Sequence, residues 1–356
     1  MSHVIQVLVL LVSLTSMSVS NVRADSTDKT KRVGYLVWSS QEARGHLELA
    51  LLDGMRDAGY VEGRNLIVDR RYVDRASFDE LRAAATELAN LKPDAIISTC
   101  SPSTTAAKEA TSKTGTPVIM AFVSDPVAQG LIMSYRHPGS NITGLSSQAE
   151  DTLPKMLQYL AEVIPPRTRV AILYNASNPA HSRLWQLVRQ AAVARGIELI
   201  RVDISRTSDL TAAFESIGRE RAGALLVLPD DNMTYNSRVE LNELLKRQRL
   251  PAIFGAREFV DVGGLMSYGP SLTSSYRNVA VYVDKVLRGA SPADIPVEQP
   301  KQFEFVVNTA AAKALGITFP RALIVSADAI VNEVPASVTS RPVGAAGKRE
   351  DKSGGM

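Results

Sequence analysis

Cysteine is the scarcest chemistry in this sequence. Its 356 residues contain one, Cys100, so no internal disulfide can form. The four histidines, His3, His46, His137 and His181, are scattered. With no second cysteine there is no Cys/His spacing of the zinc type, and no metal site is expected. The glycine-rich dinucleotide fingerprint, the Walker phosphate loop, the G-x-S-x-G elbow and the H-E-x-x-H helix are all missing. No cofactor is therefore expected. Cys100 at a strand end can serve as a thiol nucleophile only with a base beside it, and the sequence offers no obvious one. No apolar run after the first two dozen residues is long enough to cross a bilayer. An excess of basic charge is also lacking where it would matter. The net charge is +3, but Arg23 contributes +1 and the tail 335–356 contributes +2, leaving residues 25–334 neutral. A nucleic-acid binder needs lysine and arginine clustered on the folded body, and none is expected here.

What is present begins at the N-terminus. Val4 to Val12 is apolar apart from Gln6, and Val22-Arg23-Ala24 suits a signal peptidase. Residues 1–24 are expected to be a signal peptide cleaved after Ala24, which sends the chain to the periplasm. A buried N-terminal strand or a membrane anchor are the alternatives. No cysteine follows the apolar run to carry a lipid.

The rest alternates short β-rich runs with amphipathic helical runs. Arg32–Trp38 reads as a strand, and residues 46–58 as a helix carrying Leu47, Leu51 and Met55 on one face. Asn65–Val73 is a strand, and Ser77-Phe78-Asp79-Glu80 opens a helix with a capping box. Ala95–Thr99, Ser103–Thr114 and Pro117–Phe122 continue the rhythm. After a Gly/Pro-rich stretch at 137–141 the pattern restarts at Arg169–Tyr174 and runs to Ala252–Phe254, with one helix expected over Asn236–Gln248. Strands alternating with helices of this length imply parallel sheets. Two such series predict an α/β protein of two doubly wound lobes. The tail 335–356 is rich in Pro, Ser, Gly and Lys and is expected to be disordered.

In open α/β sheets ligands bind beyond the carboxyl ends of the strands, so the candidate contacts are the residues that follow each strand. The first strand leads into Trp38-Ser39-Ser40. The third leads into Cys100-Ser101-Pro102-Ser103-Thr104, whose hydroxyls and helix start suit a carboxylate, or simply cap the helix. The fourth leads into Ser124-Asp125-Pro126, where Asp125 can accept a ligand ammonium or cap the next turn. In the second series Asn175 and Asn178, then Asp230 and Asp231, then Arg257, occupy the equivalent places. Trp38 can stack on a flat ligand or fill core space. Polar post-strand loops from two facing lobes point to a small-molecule site between them.

Several ordered segments resemble the ABC transporter substrate-binding proteins whose better-known members take up tryptophan and other aromatic amino acids. They include Gly54-Met55-Arg56-Asp57-Ala58-Gly59-Tyr60-Val61-Glu62-Gly63-Arg64-Asn65, Ser124-Asp125-Pro126-Val127 and Pro138-Gly139-Ser140-Asn141-Ile142-Thr143-Gly144. Arg257-Glu258-Phe259-Val260 through Gly269-Pro270, Pro296-Val297-Glu298-Gln299-Pro300 and Ala312 to Pro320 complete the series. The resemblance implies a type I periplasmic-binding fold whose lobes are joined by three crossovers, placed near Leu145, Gly264 and Ser291. Lobe 1 is then 31–145 plus 265–290, and lobe 2 is 146–264 plus 291–334. It also implies a permease and an ATPase encoded elsewhere as partners, and the chain is expected to be a non-enzymatic monomer that closes on a solute. The rival readings are a ligand-sensing module of a signalling system and an enzyme dependent on Cys100.

Overall fold

The computed structural model describes residues 30–74, 77–229 and 232–333. The expected signal peptide 1–24, the expected disordered tail 335–356, and Asp230 and Asp231 lie outside the described residues.

The chain builds a five-stranded sheet first. Its strands are β1 (Lys31–Val37), β2 (Leu66–Tyr72), β3 (Ala95–Ser98), β4 (Val118–Val123) and β5 (Ile142–Ser146), all parallel, in the order β2-β1-β3-β4-β5. Helices α1 (Gln41–Asp57), α2 (Phe78–Asn90) and α3 (Ser101–Thr111) connect them. Both faces of β1 are covered, so it reads as an apolar run rather than an alternation. Tyr35 and Val37 turn to the cluster holding Leu47 of α1, and Leu36 turns to the cluster holding Leu81 and Leu88 of α2.

A seven-stranded sheet follows, in the order β12-β11-β10-β9-β8-β6-β7. Its elements are α4 (Ala149–Ala161), β6 (Val170–Asn175), α5 (Pro179–Val193), β7 (Leu199–Ile204), α6 (Leu210–Arg219), β8 (Ala224–Val227), α7 (Asn232–Asn236), α8 (Arg238–Gln248), β9 (Ala252–Phe254), α9 (Glu258–Asp261) and β10 (Met266–Pro270). Helix α10 (Leu272–Leu287) intervenes before β11 (Phe303–Asn308), α11 (Thr309–Leu315), α12 (Arg321–Ser326) and β12 (Ala329–Val331). All neighbours are parallel except β10 and β11.

The chain passes between the sheets three times. The first passage follows β5, close to the expected Leu145. The other two differ from expectation. Met266 and Ser267 of β10 pair with β9, and the whole of β10 pairs with β11, so this strand belongs to the second sheet, whereas the expected boundary places 265–290 in the first lobe. The crossing falls after Pro270. Likewise residues up to 298 stay with the first lobe: Thr143 Oγ1 donates to the Ile295 carbonyl at 2.8 Å and Ser146 N to the Glu298 carbonyl at 2.9 Å. A period of two identifies a strand but does not say which sheet receives it.

Helix α10 packs along α1, and the approach is close enough to exclude a side chain. A Cβ at Gly54 would stand 2.3 Å from the Arg277 carbonyl oxygen and 2.9 Å from Ala280 Cβ. One apolar cluster, including Tyr35, Phe214 and Phe254, runs from the first lobe into the second. Separate clusters back the outer faces of each sheet. Among the described residues no helix is long and apolar enough to cross a membrane.

Candidate functional site

The strand ends of the two sheets face one another, and the first loop sets the geometry. After β1, Ser40 caps α1 by accepting from Ala43 N at 3.2 Å. The helix therefore begins at Gln41, five residues before the expected 46, and brings Arg44, His46 and Glu48 into its first two turns. Opposite it, α7 of the second lobe presents Asn232, Tyr235 and Asn236.

Polar contacts join these two elements across the cleft. Ser39 Oγ donates to Asn236 Oδ1 at 2.6 Å, and Asn232 Nδ2 donates to the Trp38 carbonyl at 3.1 Å. Arg44 Nη2 donates to Asn232 Oδ1, while the Arg44 guanidinium lies 4.0 Å above the Tyr235 ring. Tyr235 Oη and His46 Nε2 are 3.3 Å apart, and His46 Nε2 lies 3.6 Å from Glu258 Oε1. Burial raises the Tyr235 phenol well above its ordinary value, and pushes Tyr276, which bonds Arg44 Nη1 at 3.3 Å, up to about 12. Both tyrosines are thus neutral hydrogen-bonding groups at physiological pH.

Two chambers lie in the cleft. The outer one, of about 680 Å³, is lined by Trp38, Phe78, Asn175, Met233, Asn236 and Glu240 among others. It draws on the β1 and α2 side of the first lobe and on the post-β6, post-β7 and α7 side of the second. The inner one, of about 40 Å³, is lined by Arg44, Thr99, Phe122, Pro229, Tyr235 and Gly255 among others. Asn232 borders both.

The residues singled out in the sequence fall into three groups. Trp38 and Asn175 line the outer chamber, and Ser39 makes the interlobe bond already described. A second group uses its polar atoms to hold the loops. Asn178 caps α5 through Ala180 N at 3.0 Å. Ser103 Oγ accepts from Thr99 N and Cys100 N, both at 3.0 Å, and Thr104 Oγ1 pairs with Ser98 Oγ at 2.7 Å. Ser101 Oγ accepts from Gln129 Nε2 at 3.1 Å, and Ser124 Oγ donates to Glu150 Oε2 at 3.1 Å. Asp125 has φ 35° and accepts from Ala128 N at 3.1 Å, closing a turn. Cys100 is 2% exposed with Sγ 3.3 Å from Ser103 Oγ. Arg257 forms the third group: it is half-exposed beside Asp261 at 3.4 Å and Glu304 at 3.8 Å, and borders neither chamber.

Arg44, Phe78, Met233, Tyr235 and Asn236 also line the chambers, although the strand-end pattern does not mark them. A signal for Arg44 exists, since Ser40 followed by Glu42 is a helix-start pattern. Gly45 interrupts the helical run and conceals it. Among the described residues no group of three or more His, Cys, Asp or Glu could hold a metal ion.

Comparison with known proteins agrees with this architecture. A tyrosine-binding protein of Clostridioides difficile (strain R20291) is 25% identical over 303 residues, 85% of each chain. A conserved domain protein of Vibrio cholerae superposes with a TM-score of 0.78 at 25% identity, covering 85% of this chain and all of the other. An ABC domain from Streptococcus pneumonia, solved in complex with L-Trp, superposes with a TM-score of 0.77 at 22% identity over the same shares. The two lobes are those of the type I periplasmic-binding fold. The sequence profile of the ABC transporter substrate binding proteins matches residues 32–331, nearly the whole described chain, and the protein belongs to that family.

Proposed function

We propose that this protein is the exported solute-capturing component of an importer. A small molecule enters between the lobes, the lobes close on it, and the closed form delivers it to a membrane permease driven by a partner ATPase. The observation that carries this reading is the outer chamber, about 680 Å³ of space lined from both lobes. Sites for small ligands favour such interfaces and such volumes. A solute that touches both walls binds the closed arrangement better than the open one, and that difference in affinity is what drives closure.

The solute class we favour is an amino acid or a related aromatic acid. Trp38 and Phe78 offer ring faces and Met233 an adaptable wall, while Asn175 and Asn236 supply hydrogen-bonding groups. The C. difficile relative is described as tyrosine-binding and the Streptococcus structure holds L-Trp, which supports the same class. Capture without chemical change, periplasmic location and a monomeric state complete the proposal.

Thermal unfolding in the presence of L-tyrosine, L-tryptophan and related acids tests it. A solute at 100 times its Kd stabilises by about 2.7 kcal/mol, which raises Tm by about 3–5 °C for a protein of this size. No rise with any amphoteric or anionic solute contradicts the reading.

A further inference from the structure

Arg44 carries a permanent charge into the cleft and meets no carboxylate there. It is 5% exposed. Its guanidinium touches three neutral groups: the Tyr276 hydroxyl, the Asn232 amide oxygen and the face of Tyr235. Its buried Nε has no partner. No carboxylate among the described residues pairs with it. The partly buried Arg70 of β2, by contrast, is paired with both Glu48 and Glu62. An arginine does not shed its proton to escape burial, so an uncompensated buried guanidinium is an arrangement that calls for an anion.

We propose that Arg44 is the anion anchor of the binding site: it receives the carboxylate of an organic acid whose apolar body lies in the outer chamber, and Asn232 Oδ1 holds the carboxylate's place until that acid arrives. This deepens the solute-capture reading and rests on it. Nε and Nη2 form one edge of the guanidinium, the edge that a carboxylate grips with two parallel bonds. On that edge Nη2 is held by a neutral amide oxygen and Nε is unpartnered. The inner chamber of about 40 Å³ has room for a few water-sized groups. That suits a carboxylate and is too small for a ring. Phe122, Leu228, Phe259 and Leu272 wall it with apolar surface, and a low-polarity wall strengthens an ion pair that forms there. Asn232 borders both chambers, so movement of its side chain joins them and lets one molecule span the two.

The test compares each acid with its own amide. Thermal unfolding of the wild type and of Arg44→Gln is followed with L-tyrosine, L-tryptophan, benzoate and 3,4-dihydroxybenzoate, with the four matching amides, and with D-allose as a neutral sugar. At least one acid should stabilise the wild type, its amide should bind at least about 30-fold more weakly, and Arg44→Gln should lose the response to the acid. An acid and its amide binding within about threefold of each other would overturn the proposal, as would a folded Arg44→Gln that binds the acid like the wild type. Stabilisation by D-allose or an amide while every acid fails would also overturn it, and would leave solute capture between the lobes standing. Silence from every probe would count against both. Should Arg44→Gln fail to fold, the acid-to-amide ratio of the wild type decides alone.

Discussion

Single side chains hold this cleft together, and each makes a separable contribution. Ser39 Oγ bridges the lobes to Asn236 at 2.6 Å. Removing it in Ser39→Ala costs about 0.5–1.5 kcal/mol of closure, which should weaken solute binding by about two- to twelvefold when titrated by calorimetry. Glu150 at the start of α4 titrates differently from an ordinary carboxylate. Burial raises its carboxyl above the ordinary value of 4.5, with Asp125 and Asp151 adding to the effect and the Ser124 hydroxyl opposing it. A raised carboxyl favours the folded state while it is protonated, and that advantage is lost as pH rises through the folded-state pKa. Glu150→Gln should therefore be more stable than the wild type at pH 7, and the two should converge below pH 4.5. A Tm difference that stays constant with pH would contradict this. Cys100 is buried beside Ser103 at the start of α3. Cys100→Ser should keep solute binding within about threefold, whereas loss of a solute-converting activity in that variant would support the enzyme rival.

Elements determine what a sequence reveals and what it hides. The alternation of strand and helix was legible because β1, β3 and β4 are apolar runs and α2 has a capping box that the structure retains. The strand-end loops were legible for the same reason. The start of α1 was not. Gly45 breaks the apolar period there, so the helix reads as beginning at 46 and Arg44 is left in a loop. Helix α7 spans only Asn232–Asn236, too short to show any period, yet it supplies part of the second-lobe wall of the cleft. Ser103 and Thr104 looked like ligand contacts because their hydroxyls stand at a helix start. Their bonds instead go to Thr99, Cys100 and Ser98. The contact between α1 and α10 yields a prediction at this scale. In Gly54→Ala the new methyl meets the Arg277 carbonyl at 2.3 Å. Separating two packed helices should destabilise the protein by about 1–3 kcal/mol, read as a drop of several degrees in Tm.

At the scale of the whole molecule, the two lobes share an apolar cluster near the crossings and a handful of polar bonds across the cleft. Such an interface suits a structure that opens and closes, because polar contacts broken on opening are replaced by bonds to water. A bound solute would hold the lobes together by its higher affinity for the closed arrangement. The most direct test is native mass spectrometry of the protein mixed with amino acids and aromatic acids. The account predicts one solute per chain, released on denaturation with its mass unaltered. A bare chain in every mixture, or a solute returned with a changed mass, would contradict it.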